Sequence, residues 1–271
     1  MSNHQEAMDI LEATSRTFYI PISRLPARLL EAVASAYLCL RAIDEIEDHP
    51  NLDNLYKAEL LRGISQSIQS ADEEFTFKCY PAVLKAANGT VPEVSSRIDE
   101  WLGLAPQSIV PCIADTTAVM ADRMAYWAVN NWTIRTEADL NSYTYSVAGA
   151  VGLLLSSLWN WYDGTQTNRR YAVGFGRGLQ AVNILRNRTE DLGRGVDFFP
   201  DGWTTDQLQS YSRRNLALAE AYVQELPPGP ALNFCKIPFV LATATLDALA
   251  NGELKLSRAQ VRQLVALAEG A

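Results

Sequence analysis

Apolar side chains return at three- and four-residue intervals along almost the whole chain, and no other feature constrains the fold as strongly. Leu29, Leu30, Val33, Tyr37 and Leu40 set the pattern, which recurs over 54–70, 107–130, 137–159, 168–191, 205–225, 231–250 and 257–269. No convincing run alternates apolar and polar residues as a half-buried strand does. The expectation is an all-α protein. Asp139, Thr204 and Ser257 read as N-caps, the last two with Gln207 and Gln260 three residues on as capping-box partners. The breaks fall at "WYDGTQT", "GRGVDFFPDGW" and "LPPGP", each rich in Gly, Pro or Asp. They are short, which makes consecutive helices antiparallel neighbours and favours a single helical domain over residues 1–271.

Against this apolar pattern, "YLCLRAIDEIED" at 37–48 carries Asp44, Glu45, Glu47 and Asp48 directly after a run that reads as buried. Asp44 and Asp48 lie one turn apart on one helical face, with Arg41 and then Tyr37 on the preceding turns. Like charges at that spacing cost ~0.2–0.5 kcal/mol on an isolated helix, and more where water is scarce. Two readings stay open: a solvated helix end with Glu45 and Glu47 facing water, or a site for a cation.

A second stripe favours the cation. In "LQAVNILRNRTEDLGRG", Asn183, Asn187 and Asp191 recur every four residues, with Arg186 and Arg188 beside them. Two oxygen-rich stripes on separate helices facing one another across a bundle interior would suit a hard divalent cation such as Mg²⁺. Mg²⁺ takes one or two carboxylates and leaves its other positions to water and substrate phosphate, so a diphosphate substrate is implied. Arg16, Arg41, Arg186 and Arg188 are then candidate clamps, because guanidinium forks match phosphate oxygens.

Composition narrows the alternatives. A formal net charge of −8 argues against a nucleic-acid surface, and two histidines, His4 and His49, are too few for a multi-His zinc site or a His-based triad. Cys39, Cys79, Cys112 and Cys235 form no C-x-x-C pair and read as free, mostly buried thiols of a reducing cytoplasm. The N-terminal residues include Glu6, Asp9 and Glu12 and do not resemble a secretion signal. The apolar stretch "VAGAVGLLLSSLW" at 147–159 falls short of the ~20 residues that span a bilayer. A cytoplasmic protein without a transmembrane segment is expected, with peripheral membrane contact open for an apolar product and oligomeric state left open. Within that stretch Gly149 and Gly152 each cost up to ~1 kcal/mol against Ala, which calls for close helix packing or for the wall of a pocket holding an apolar tail.

Several segments, in order, resemble the squalene/phytoene synthase family. "TSRTF" at 14–18 is similar to its Ser-bearing opening segment, "YLCLRAIDEIED" to its first aspartate-rich motif, "YTYSVAGAVG" at 143–152 to its Tyr-x-Tyr-x-Val-Ala-Gly-x-Val-Gly segment, and "LQAVNILRNRTED" to its second acidic motif. "GRGVDFFPDGW" resembles the Phe-Trp-Pro loop of the squalene-synthase branch. The resemblance implies an isoprenoid-synthase-type helical bundle around a central apolar cavity, with Mg²⁺ bridging the acidic helices to an allylic prenyl diphosphate such as farnesyl diphosphate. It places metal at Asp44 and Asp48 on one side and at Asn183, Asn187 and Asp191 on the other. Ser15, Arg16, Arg41, Tyr143, Gln180 and Arg186 would contact the diphosphate or order the metals, and Asp44, Asp48, Asp191 and Tyr143 would form the catalytic set.

Two departures stand out: Asn187 where the family's second motif begins with Asp, and Thr245 about where its C-terminal helix carries Tyr. The altered motif resembles squalene-synthase-like bacterial proteins that release farnesol from farnesyl diphosphate, so the first expectation is diphosphate removal to give farnesol. The alternative is head-to-head condensation of two farnesyl diphosphates to presqualene diphosphate and then squalene or dehydrosqualene, squalene requiring NADPH. No G-x-G-x-x-G fingerprint bears on that cofactor. Terpene cyclisation and a non-catalytic prenyl diphosphate binder complete the set.

Overall fold

The structure is a computed structural model that describes residues 3–71 and 91–270, with the side chains of Asn3, Arg16 and Glu269 outside the description. Among the described residues every regular element is helical. Backbone contacts gather into two compact units, Met1–Asn131 and Trp132–Ala271.

The first unit contains α1 (Asn3–Thr14), α2 (Arg16–Ile22), α3 (Ala27–Glu47), α4 (Asn54–Gln69), a 3₁₀ turn (Glu93–Arg97) running into α5 (Ile98–Leu102), and α6 (Val110–Val129). Helix α3 is its spine and touches every other described element of the unit. Ala32, Val33, Ala34, Ser35 and Ala36 are buried in succession, as in a helix enclosed on all sides. Ser95 donates its hydroxyl to the Ala42 carbonyl at 2.7 Å, and the buried Trp101 donates its indole N–H to the Val94 carbonyl at 2.8 Å. Arg97 joins three elements: it binds Glu6 of α1 at 2.7 Å, Glu93 at 3.0 Å and Glu100 at 2.8 Å, and lies over the Trp101 ring.

The second unit begins with α7 (Glu137–Thr144), which passes through a π-helical segment (Tyr145–Gly149) into α8 (Ala150–Asp163). The periodicity predicted one helix over 137–159; the structure inserts a wider turn where Ser146 and Gly149 lie. Next come α9 (Arg169–Gly193), α10 (Thr205–Glu225), α11 (Pro230–Ala250) and α12 (Arg258–Gly270). Helix α9 is the hub, packing on α7, the π segment, α8, α10 and α11. Its approach to α8 is as close as backbones allow: a Cβ on Gly152 would lie 2.0 Å from the Ala172 carbonyl oxygen, and one on Gly176 2.0 Å from that of Ala148. Close helix packing, not a pocket wall, therefore explains Gly152. Tyr211 and Tyr222 of α10 fasten the other side, through Thr144 and Asn141 and through Ser156, at 3.0 Å each.

The end signals held at two of three helices. Thr204 with Gln207 and Ser257 with Gln260 form reciprocal bonds. At α7 the cap is Thr136, and Asp139 is its partner at the third helical position rather than the cap itself. Cys39 and Cys235 are free and buried, and burial pushes both thiols up; Cys112 is free and half-buried, and Cys79 lies outside the described residues. The stretch 147–159 is not the most membrane-like part of the chain. Among the described residues Pro230–Ala250 is the one helix long and apolar enough to cross a membrane, with 44% of its apolar window buried. Phe234, Cys235, Ile237, Leu241 and Leu246 are among its buried residues, and it packs on α9, α10 and α12.

Candidate functional site

In the first unit, the last turns of α3 gather Asp44, Glu47 and Asp48 so that one carboxylate oxygen from each lies within 4.8 Å of the others. The metal-site expectation named Asp44 and Asp48 without Glu47, which the alternative reading of a solvated helix end set in water. The structure corrects the solvated-end reading: Glu47 is 5% exposed, while Asp44 is half-buried and Asp48 exposed. Glu47 was findable, since it follows Asp44 by three residues on the same face.

Two like charges at that separation repel by about 3–4 kcal/mol at an effective dielectric of ~20. Arg41 offsets part of this, donating to Asp44 at 2.9 Å and to Glu45 at short range. Burial pulls the Arg41 guanidinium down, but the Asp44 and Glu45 carboxylates outweigh it and hold it above its ordinary value. Hard oxygen donors converging from one helix fit a divalent cation such as Mg²⁺. Among the described residues the buried thiols Cys39 and Cys235 are held protonated, so they do not offer a soft site.

Ser15 caps α2, its hydroxyl accepting the Phe18 amide at 3.2 Å. Helix α2 adjoins α3 through the Phe18 and Tyr37 rings, with centroids 6.2 Å apart. The opening segment therefore borders the face of α3 that continues through Arg41 to Asp44. The side chain of Arg16 lies outside the described residues.

In the second unit, α9 carries Gln180, Asn183, Arg186, Asn187 and Asp191 along its length. Asn183 and Asn187 are half-buried, and Asp191 is 5% exposed. Asp191 accepts from Arg194 at 2.5 Å, a partner the sequence reading missed although it follows at the usual i+3 spacing. Asn187 accepts from the Nε of Arg186 at 3.1 Å, so its side-chain oxygen points at a cation but carries no charge of its own. Gln180 is half-buried one turn before Asn183.

Two expected site residues do other work here. Arg188 binds Asp197 at 2.9 Å and lies 3.6 Å from the centre of the Phe199 ring, so it holds the loop after the second motif rather than standing open as a clamp. Tyr143 is 4% exposed and stacks on Phe198 at 4.6 Å, pinning the same loop from α7.

Comparison with known proteins agrees with these features. The family described as "Squalene/phytoene synthase" matches residues 11–210. The squalene synthase of Schizosaccharomyces pombe is 29% identical over 97% of this chain and 64% of its own length. The chain spans less than two thirds of the curated relatives it matches. A solved ligand complex of TcSQS superposes with a TM-score of 0.82 at 20% identity, covering 98% of this chain and 85% of that one. A dehydrosqualene synthase in complex with ligand superposes with a TM-score of 0.66 at 19% identity, covering 99% and 95%. Because the match takes in both acid-bearing helices and the glycine-rich helix crossing, this protein belongs to the squalene/phytoene synthase family.

Proposed function

We propose that this protein joins two allylic prenyl diphosphates, such as farnesyl diphosphate, head to head, giving presqualene diphosphate and then squalene or dehydrosqualene. The observation that carries this is the match to a protein named squalene synthase over 97% of the chain. It reverses the order expected from the altered second motif, which had put release of farnesol first.

On this reading Asp44, Glu47 and Asp48 hold Mg²⁺ at one acidic helix, and Asn183, Asn187 and Asp191 hold it at the other. Bound Mg²⁺ supplies Lewis-acid charge to the departing diphosphate. Arg41 keeps Asp44 oriented, and Arg186 orients the oxygen of Asn187. Arg194 pairs with the buried Asp191, while Tyr143 and Arg188 fix the 197–199 loop. Ser15, Arg16 and Gln180 contact the diphosphate. The setting is cytoplasmic, with peripheral membrane contact for the hydrocarbon product; co-flotation with lipid vesicles tests that contact.

Two residues favour a second reading, removal of diphosphate from one substrate to give farnesol. Asn187 supplies no negative charge, and the Thr245 hydroxyl is turned back to the Leu241 carbonyl at 2.7 Å, leaving no phenol at that position. Incubation with farnesyl diphosphate and Mg²⁺, with and without NADPH, decides between them by mass spectrometry of the organic product. A C30 product is expected, and NADPH matters only if that product is squalene. Farnesol alone, formed in step with released diphosphate, would replace the condensation reading. No turnover would remove both.

A further inference from the structure

Lys57 is 7% exposed and sits in the first turns of α4. Both facts are unfavourable for an ammonium group. Burial strips its hydration, and the start of a helix already carries partial positive charge. Lysines reach such depth only when paired. One partner is the backbone carbonyl of Glu47, which accepts from the Lys57 Nζ at 2.6 Å.

That carbonyl lies in the final turn of α3, where the last four carbonyls of a helix have no partner within the helix and the dipole is negative. Glu47 is also the buried member of the carboxylate cluster with Asp44 and Asp48. Arg41 pairs within α3, with Asp44 and Glu45 of its own helix. Lys57 reaches this turn from a different helix. Its own base is firm: Asp53 caps α4 by accepting the Leu55 and Tyr56 amides at 3.1 and 3.0 Å, and the Lys57 amide bonds the Asp53 carbonyl at 2.9 Å.

We propose that Lys57 is a positioning residue for the acidic cluster: a resident cation that ties the last turn of α3 to α4 and keeps Asp44, Glu47 and Asp48 gathered before a metal arrives. This rests on reading that cluster as a cation site. A bond to the backbone suits the task, since it fixes the turn that carries the three carboxylates.

The test uses full-length Lys57→Met, which keeps the apolar stem without the ammonium, and Lys57→Gln, whose amide can still donate to the carbonyl. Two measurements are made without substrate: amide hydrogen exchange of the metal-free protein, and calorimetric titration with Mg²⁺ alone. In Lys57→Met the amides of residues 46–49 should exchange faster while those inside α6 keep their protection. Mg²⁺ affinity should fall roughly ten- to hundredfold, as when other groups that orient metal ligands are removed. Lys57→Gln should fall between this variant and the wild type in both.

Unchanged or tighter Mg²⁺ binding in a folded Lys57→Met overturns the proposal; tighter binding would make Lys57 a competing charge rather than an anchor. If Lys57→Met does not fold, Lys57→Gln decides, and affinity equal to wild type overturns the idea. Absence of Mg²⁺ binding in the wild type would remove the metal reading itself. Exchange at 46–49 would then decide alone whether Lys57 holds the turn, with no change counting against it.

Discussion

Replacing Gly152 by Ala should destabilise this protein, although alanine is the better helix former. The new methyl would lie 2.0 Å from the Ala172 carbonyl oxygen and 2.8 Å from its carbon, where an ordinary contact begins at 3.4 Å. The obstacle is backbone in the first turn of α9, so no side chain can swing aside. The crossing must open by roughly 1.4 Å, in an interior packed too densely to absorb it. Helix propensity returns about 1 kcal/mol, whereas overpacking costs about 1–3 kcal/mol and more against rigid groups. A net loss of ~2 kcal/mol follows, or a fall of about 4–8 °C in thermal midpoint for a chain of this size.

Differential scanning calorimetry measures it. Gly193→Ala, with nothing within 4 Å of the added carbon, is the control and should leave the midpoint level or slightly raised. A Gly152→Ala midpoint equal to that of the control would refute the close-approach argument. Because α9 also carries Asn183, Asn187 and Asp191, the same variant should lose more Mg²⁺-dependent activity than its stability loss accounts for at 25 °C.

Asp44→Ala should abolish Mg²⁺-dependent turnover with little change in thermal midpoint; unchanged kcat would count heavily against the metal assignment. Asn187→Asp adds a charge worth up to ~4 kcal/mol at 4 Å and an effective dielectric of 20; half-maximal activity should come at lower Mg²⁺ without loss of turnover, and a higher requirement would contradict this. Arg97→Ala releases Glu6, Glu93 and Glu100 together, so amides of 3–14 should exchange faster in a protein that still folds, and unaltered exchange would refute its role as a latch. The hydrogen bond from Arg97 lowers the Glu6 pKa from 4.5. The latch is therefore complete above that value and weakens as pH falls through the lower folded-state pKa, a trend that Glu6→Gln should erase. Thr204→Ala should cost about 1 kcal/mol by urea titration through loss of its cap.

The acidic stripes show how far a linear pattern reaches. Asp44 and Asp48, like Asn183, Asn187 and Asp191, are neighbours because helical geometry places every fourth residue on one face, and that needs no tertiary knowledge. Glu47, three residues after Asp44, shares that face but was left out, because which of two adjacent carboxylates is buried depends on what packs beside the helix. Arg188 was read as a phosphate clamp from its place beside the second stripe, and Tyr143 as a substrate contact from the family resemblance. Their partners, Asp197, Phe198 and Phe199, come from a loop whose path no periodicity encodes.

By itself the chain's apolar spacing determined that it is helical, where most helices begin and end, and which residues share a face, since all three follow from interactions over a few residues. Tertiary structure decided that Gly152 meets a carbonyl rather than a ligand, that Arg97 gathers carboxylates from three elements, and that a lysine ten residues on is buried against Glu47. Those outcomes depend on which surfaces exclude water together, and that is settled only when distant segments meet.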